Sequence, residues 1–310
     1  MKAVLIAGPT GIGKSKLVSL LENEINSVVI NADSMQVYAS LRIITARPPD
    51  NPNYYLYGHV EDNVSYSVGN WLEDVTHIIK ELSKNSPEKV LIFVGGTGLY
   101  FNTLINGISH IPDVAPEIKI KSSELFREHG INYFLNELEK FDQISFSSID
   151  KRNPRRVLRA WEVLKATGKP ISHFHQNRMP SLISAKESFK CVLKLKKTTL
   201  DHLNAERFRE MLSAGAIEEC ELARRNGMGP LSQSFKAIGV SEIVNFLDGV
   251  VELKDSEKKA ITRTRQYSKR QVTWFRNNFS DWKCYSLDEL NYSQISKKII
   301  TSIGKLKGKL

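Results

Sequence analysis

Cysteine is scarce in this chain of 310 residues: Cys191, Cys220 and Cys284 stand far apart and never in C-x-x-C spacing. That excludes a disulfide framework and a structural zinc site, and fits a reducing, cytoplasmic setting. No apolar run approaches the roughly 20 residues of a membrane helix, so no membrane partner is expected. The first residues form a buried-strand pattern running straight into a glycine loop, which is not the pattern of a secretory signal. Repeats and low-complexity tracts are absent too. Acidic residues are the minority, 34 Asp+Glu against 44 Lys+Arg, a formal charge of +10. That excess points to a polyanionic partner, nucleic acid or an anionic membrane surface. Two marks of nucleotide hydrolases are also missing. The apolar strand Val90–Val94 ends in Gly95-Gly96-Thr97 instead of a magnesium-binding Asp, and no N-K-x-D guanine-reading motif occurs. Both absences argue against an ATPase or GTPase.

What is present begins with Gly8-Pro9-Thr10-Gly11-Ile12-Gly13-Lys14-Ser15, a match to the phosphate-binding pattern G-x-x-x-x-G-K-[ST]. The context fits, because KAVLIA before it reads as a strand and LVSLLENEI after it has helical spacing. Glycines let successive backbone N–H groups converge on an anion, and a helix starting near Lys14 adds the positive end of its dipole. Lys14 supplies a cation and Ser15 is placed to ligate Mg²⁺. The plainer alternative is a glycine turn with no phosphate role.

Further along, Val28-Val29-Ile30 leads into Asn31-Ala32-Asp33-Ser34, placing an acid at the carboxyl end of a strand, where open α/β sheets bind ligands. Asp33 also suits the N-cap of a following helix. Trp71 to Leu82 reads as a helix, and a new helix follows Gly98. From about 117 to 180 the pattern is polar and helical. Within it Asn153-Pro154 caps a helix with Arg155, Arg156 and Arg159 on one face and Val157, Leu158, Trp161 and Leu164 on the other. The arginine face is either an ordinary solvated face or a phosphate-facing one. Phe189–Leu195 looks like a strand returning to the first sheet, and Leu203–Leu212 like a helix carrying Arg207 and Arg209. Lys258 to Arg276 holds seven basic residues and no acidic one, with Tyr267, Trp274 and Phe275 interleaved. Charge with rings suits nucleic acid. An amphipathic helix with its aromatics in the core fits as well, and Phe275 is expected inside. His173 and His175 are taken as loop residues. The fold expected is α/β, a P-loop NTPase-like parallel sheet flanked by helices (residues 1–115 and 186–310), with an inserted all-helical domain (116–185).

The ordered set GPTGIGKS (8–15), NADSMQVY (31–38), ITARP (44–48), VGGTGLYF (94–101), NPRRVLRAWEV (153–163), RFREML (207–212), KAIGV (236–240) and TRQYSKRQVTWFR (264–276) resembles the tRNA dimethylallyltransferases over nearly the whole chain. The resemblance implies transfer of a dimethylallyl group from dimethylallyl diphosphate to N6 of the adenosine 3′ of a tRNA anticodon, position 37. It implies that Gly8 to Ser15 hold the leaving diphosphate with Mg²⁺ at Ser15, and that Asp33, Thr97 and Arg207 are catalytic, with Asp33 as base and Thr97 bonding Asp33 or the adenine. The anticodon stem-loop would be contacted by Asp33, Ser34, Met35, Gln36, Thr97, Lys119, Arg155, Arg156, Arg159, Lys236, Lys269, Arg270, Gln271, Trp274 and Arg276. A monomer is expected. The chain departs from the family at Ile44 (usually Gly), Arg47 (Lys), Val240 (often Tyr) and Leu203 (Arg), and lacks the C-terminal zinc finger of eukaryotic relatives. Three rivals remain: an adenylate isopentenyltransferase acting on free AMP, ADP or ATP, a P-loop small-molecule kinase, and a non-catalytic RNA-binding protein with a relic loop.

Overall fold

The computed structural model describes residues 1–109, 111–176 and 179–306. They form two compact units, Met1–Ile105 with Leu182–Leu310, and Asn106–Ser181. Composition places the boundaries at 115/116 and 185/186. The compact units divide earlier because Leu182 and Ile183 already donate their N–H groups to the Leu104 carbonyl, at 3.0 and 3.1 Å.

In the first unit the elements run β1 (Ala3–Ala7), α1 (Lys14–Glu22), β2 (Ser27–Asn31), β3 (Tyr54–Tyr55), α2 (Val68–Asn85), β4 (Val90–Gly95) and α3 (Gly98–Asn106). The chain leaves for the second unit, which holds α4 (Pro116–Phe141), α5 (Gln143–Ser148), α6 (Pro154–Thr167) and α7 (Ile171–His175). It returns with β5 (Ser188–Lys194), α8 (Lys197–Ser213), α9 (Ala216–Arg225), α10 (Val240–Leu247), α11 (Leu253–Asn278), β6 (Lys283–Ser286) and α12 (Tyr292–Gly304). Among the described residues the sheet has six strands in the order β3-β2-β4-β1-β5-β6, and every pairing is parallel. A parallel sheet covered on both faces requires apolar strands throughout. β1, β2 and β4 are accordingly buried at every position.

The order places β1 centrally, between β4 and β5, so the loop after β1 and the chain after β4 emerge at the same carboxyl edge. β2 lies beyond β4 and delivers Asp33 to that edge. The approach is close: Thr97 N–H bonds the Ala32 carbonyl at 3.1 Å, and a methyl group at Gly95 would lie 2.0 Å from that oxygen. Trp71 braces the same edge, donating Nε1–H to the Asn31 carbonyl at 2.8 Å and stacking on Tyr100 with centroids 4.3 Å apart.

The second unit has its own core of Phe134, Leu138, Val157, Ala160, Trp161 and Val163. Gly130, with φ 68°, breaks α4 internally. Asn153 caps α6 by accepting the Arg156 N–H, with Pro154 at the first helical position. Leu164 is only half-buried, Val163 taking the core position beside Trp161. His173 and His175, expected in a loop, close the short α7.

Candidate active site

The phosphate loop owes its shape to its glycines. Gly11 and Gly13 both have φ 77°, the left-handed region that L side chains rarely adopt. Gly13 is also the N-cap of α1 and offers no side-chain acceptor, so the first-turn N–H groups of α1 stay available to an anion. One loop donor is already used: Thr10 N–H bonds Gln271 Oε1 at 2.9 Å. The loop is held from both flanks. Asn204 of α8 lies so near Gly11 that a methyl group there would sit 2.1 Å from its Oδ1. A methyl group at Gly13 would sit 2.2 Å from the Tyr292 hydroxyl. That hydroxyl donates to the Ile12 carbonyl at 2.9 Å.

Lys14 folds back over the loop, its Nζ donating to the Gly8 and Pro9 carbonyls at 2.9 Å each. Burial is the main cause that pushes its ammonium down to about 8. Asp33 opposes that shift, and Arg207 reinforces it. Arg207 of α8 is also pushed below the usual guanidinium range, again by burial first, with Asp33 and Glu210 acting the other way. Among the described residues Arg207 makes no hydrogen bond or ion pair. Lys14 thus feels Arg207 as a like charge, and both feel Asp33 as a counter-charge. A second anion between them would relieve both.

Asp33 does not cap a helix. Its Oδ1 accepts the Met35 N–H at 3.0 Å, an Asx-type turn, and its own N–H bonds Asn31 Oδ1 at 2.8 Å. Three tyrosines sense its charge. Tyr57, Tyr100 and Tyr267 are all raised above the ordinary phenol range, by burial first, with Asp33 the next cause for Tyr100 and Tyr267 and following Tyr54 for Tyr57. Asp33, half-buried, thus has three desolvated phenols and the cations Lys14 and Arg207 within electrostatic reach. Thr97 does not bond Asp33. Its Oγ1 accepts the Ser34 N–H at 3.0 Å and donates to Ser34 Oγ at 3.3 Å, fixing the turn that carries Asp33.

Gln271 is buried and links three elements. Besides accepting from Thr10 it donates Nε2–H to the Gly96 carbonyl at 2.9 Å, and it hydrogen-bonds Tyr267 one turn earlier. Trp274, half-buried, presses its ring on Gly98, where a methyl group would lie 2.1 Å from Cε3. It also packs edge-to-face on Phe279 at 5.0 Å. The ring-bearing face of α11 thus belongs to the core and the site, with Phe275 2% exposed. Its basic face is separate: Lys258, Lys259, Arg265, Lys269, Arg270 and Arg276 are exposed and form no ion pair among the described residues. Arg263, by contrast, is paired with the buried carboxylate of Glu242.

The other expected tRNA contacts fall in different settings. Ser34, Met35 and Gln36 are half-buried at the sheet edge. Gln36 spends its amide on the Thr45 and Ala46 carbonyls at 2.9 and 3.0 Å, holding the loop in which Ala46 takes φ 50°. Lys236 is exposed and donates to Gln233. In the second unit Lys119, Arg155 and Arg156 are exposed and Arg159 half-buried. Sequence reasoning missed Asn204, Tyr292, Tyr57 and Tyr100 as parts of the site. Tyr100 lies within VGGTGLYF, but the others carry no motif, and only packing on the loop or beside Asp33 reveals their part in the site.

The residues also permit a magnesium ion. Among the described residues no cluster of three or more His, Cys, Asp or Glu makes a ready cage. The Ser15 side chain is exposed, and its hydroxyl makes no hydrogen bond among the described residues. Such a donor set suits Mg²⁺ that takes most of its ligands from phosphate oxygens and water.

Comparison with known proteins bears on the family and the fold. The family model described as IPP transferase matches residues 36–278. The chain is 39% identical over 284 residues to a tRNA dimethylallyltransferase of Allorhizobium ampelinum, covering 90% of this chain and 92% of that protein. It is similar to the crystal structure of the full-length tRNA isopentenylpyrophosphate transferase of Bacillus halodurans, with 28% identity, a TM-score of 0.68, and coverage of 98% of this chain and 95% of the other. A eukaryotic dimethylallyltransferase solved acting on tRNA superimposes with a TM-score of 0.79 at 27% identity, covering 97% of this chain and 78% of that one. With a matching model over more than half its length and a relative this similar from end to end, the chain belongs to the IPP transferase family.

Proposed function

We propose that this protein is a tRNA dimethylallyltransferase that moves a dimethylallyl group from dimethylallyl diphosphate to N6 of adenosine 37, beside the tRNA anticodon. The observation that carries the reading is the pair of desolvated cations, Lys14 and Arg207, set around Asp33 at a phosphate loop whose companion strand β4 ends in glycines. A hydrolase would want a magnesium-binding acid there. A diphosphate leaving group wants cations and backbone donors.

The allylic C–O bond breaks, its electron pair leaves with diphosphate, and the N6–C bond forms as N6 gives up a proton. Lys14, Arg207 and the first-turn N–H groups of α1 meet the charge growing on diphosphate. Preorganised donors of this kind contribute about 2.7–4 kcal/mol each. Asp33 accepts the N6 proton, and Thr97 holds the Ser34 turn so that the carboxylate stays at the sheet edge. Ser15 would hold Mg²⁺, which when bound neutralises part of the diphosphate charge. The target adenine must leave its stack, at a cost of a few kcal/mol. The exposed cations of α11 and of α6 offset this through phosphates of the anticodon stem-loop. The enzyme works as a monomer in this reading.

The test offers unmodified tRNA, AMP and ATP in parallel, with Mg²⁺ and labelled dimethylallyl diphosphate. Label is expected in tRNA alone. Label in AMP with none in tRNA would replace the reading with an adenylate isopentenyltransferase, and ATP consumption without prenyl transfer would replace it with a kinase.

A further inference from the structure

Asn204 is 3% exposed, yet its Nδ2 has no hydrogen-bond partner, one of few buried side-chain atoms so placed among the described residues. Buried amide donors are nearly always satisfied, because an unmet one forfeits its bonds to water. Its surroundings explain why this one is unmet. The amide lies directly over Gly11, a glycine with φ 77° in the phosphate loop, with Oδ1 the atom nearer the loop and Nδ2 behind it, so that a half-turn of the amide exchanges the two. It also stands three residues before Arg207 on α8, so the two project from one helix face. A donor with no acceptor therefore lies beside a loop built to receive an anion, on the helix that supplies the arginine.

We propose that Asn204 is a diphosphate-binding residue: when the leaving group occupies the loop, the Asn204 amide turns its Nδ2 towards the loop and donates to one of the diphosphate oxygens, beside Arg207. This rests on the loop being the diphosphate site. Given that, Asn204 is a neutral donor that senses the ligand without adding charge. A hydrogen bond to a charged oxygen is among the stronger ones, so its loss should weaken diphosphate by about tenfold or more.

The test is calorimetric binding of inorganic diphosphate, with Mg²⁺, to the full-length enzyme and to Asn204→Leu, which removes the donor and keeps the approximate shape. The expected result is binding weaker by about tenfold. The KM for dimethylallyl diphosphate should rise in parallel, with the KM for tRNA unchanged. The thermal midpoint of the ligand-free variant should be equal or higher, since an unmet donor has gone. Asn204→Asp should bind more weakly still, because it sets a carboxylate against the anion. If Asn204→Leu misfolds, Asn204→Ala must show the same selective loss. Diphosphate affinity within twofold of the parent in the folded variant would overturn the proposal and leave Asn204 a packing residue. Failure of the parent itself to bind diphosphate would instead sink the assignment of the loop.

Discussion

Asp33 is the residue on which the site's electrostatics turn. Lys14, Arg207, Tyr57, Tyr100 and Tyr267 all respond to its charge. Asp33→Ala should lower single-turnover prenyl transfer by about 10²–10⁴, the usual range for a lost general base, while tRNA affinity changes only a few-fold. Near-normal transfer would remove Asp33 from that role. Lys14 gives a second prediction, in pH. Its ammonium is pushed down to about 8 in the free protein, so it is a cation below that pH and neutral above it. A bound anion favours the cation and raises that value. Diphosphate affinity should therefore fall as pH rises through about 8, and Lys14→Met should flatten that fall relative to the parent while binding weakly throughout. For folding of the ligand-free protein the sign is opposite. The unfolded lysine keeps its ordinary value of 10.5, so it binds more protons than the folded one between about 8 and 10.5, and this group's penalty is relieved as pH rises through that window.

At the scale of elements, α11 is the piece that joins the basic surface to the site. Gln271 ties it to the phosphate loop and to Gly96, and Trp274 seats it on Gly98. Gly98→Ala should force the helix outward, costing about 1–3 kcal/mol as overpacked sites do, read as a lower urea midpoint with slower transfer. At the other end the Glu242 carboxylate, 1% exposed, pairs with Arg263 and accepts the Gly239 N–H at 3.1 Å. Glu242→Ala should cost about 3 kcal/mol, the lower end for breaking a buried pair, since Arg263 can reach water. The contrast within α11 also marks how far the sequence could be read. Its charge run and the burial of Phe275 were legible from spacing. That Gln271 and Trp274 face inward was not, because the contacts that turn them inward come from loops 175 residues or so away in sequence. The same holds at the sheet edge. The loop, the β1 and β4 strands and the position of Asp33 follow from local pattern. The partners of Thr97 and the flanking of the loop by Asn204 and Tyr292 depend on tertiary packing alone.

For the whole molecule the governing feature is the division between a buried reaction site and exposed cations. The +10 charge is carried largely at the surface, on α11 in the first unit and on α6 in the second. tRNA binding should weaken steeply with salt, since each phosphate contact contributes about 0.7–0.9 to the log–log slope. Replacing Arg155 and Arg156 together with alanine should lower that slope by up to about 2 and leave inorganic diphosphate affinity unchanged. An unchanged slope would return the arginine face of α6 to plain solvation. The family and the α/β architecture rest on the ordered motifs along the full chain. The fine donor contacts rest on packing, and the Ile44, Arg47, Val240 and Leu203 departures leave the phosphate loop, Asp33 and Thr97 untouched. The central claim is that one site cleaves an allylic diphosphate and delivers the allyl group to a tRNA adenine. It is tested most directly by following both products of a single reaction, inorganic diphosphate released and prenyl label fixed in tRNA, with the modified nucleotide located by nuclease digestion and mass spectrometry. The account predicts one diphosphate per prenyl group, all of it on N6 of adenosine 37, formed at least about 10²-fold more slowly by Asp33→Ala. Diphosphate release without labelled tRNA, or label at another nucleotide, would contradict it.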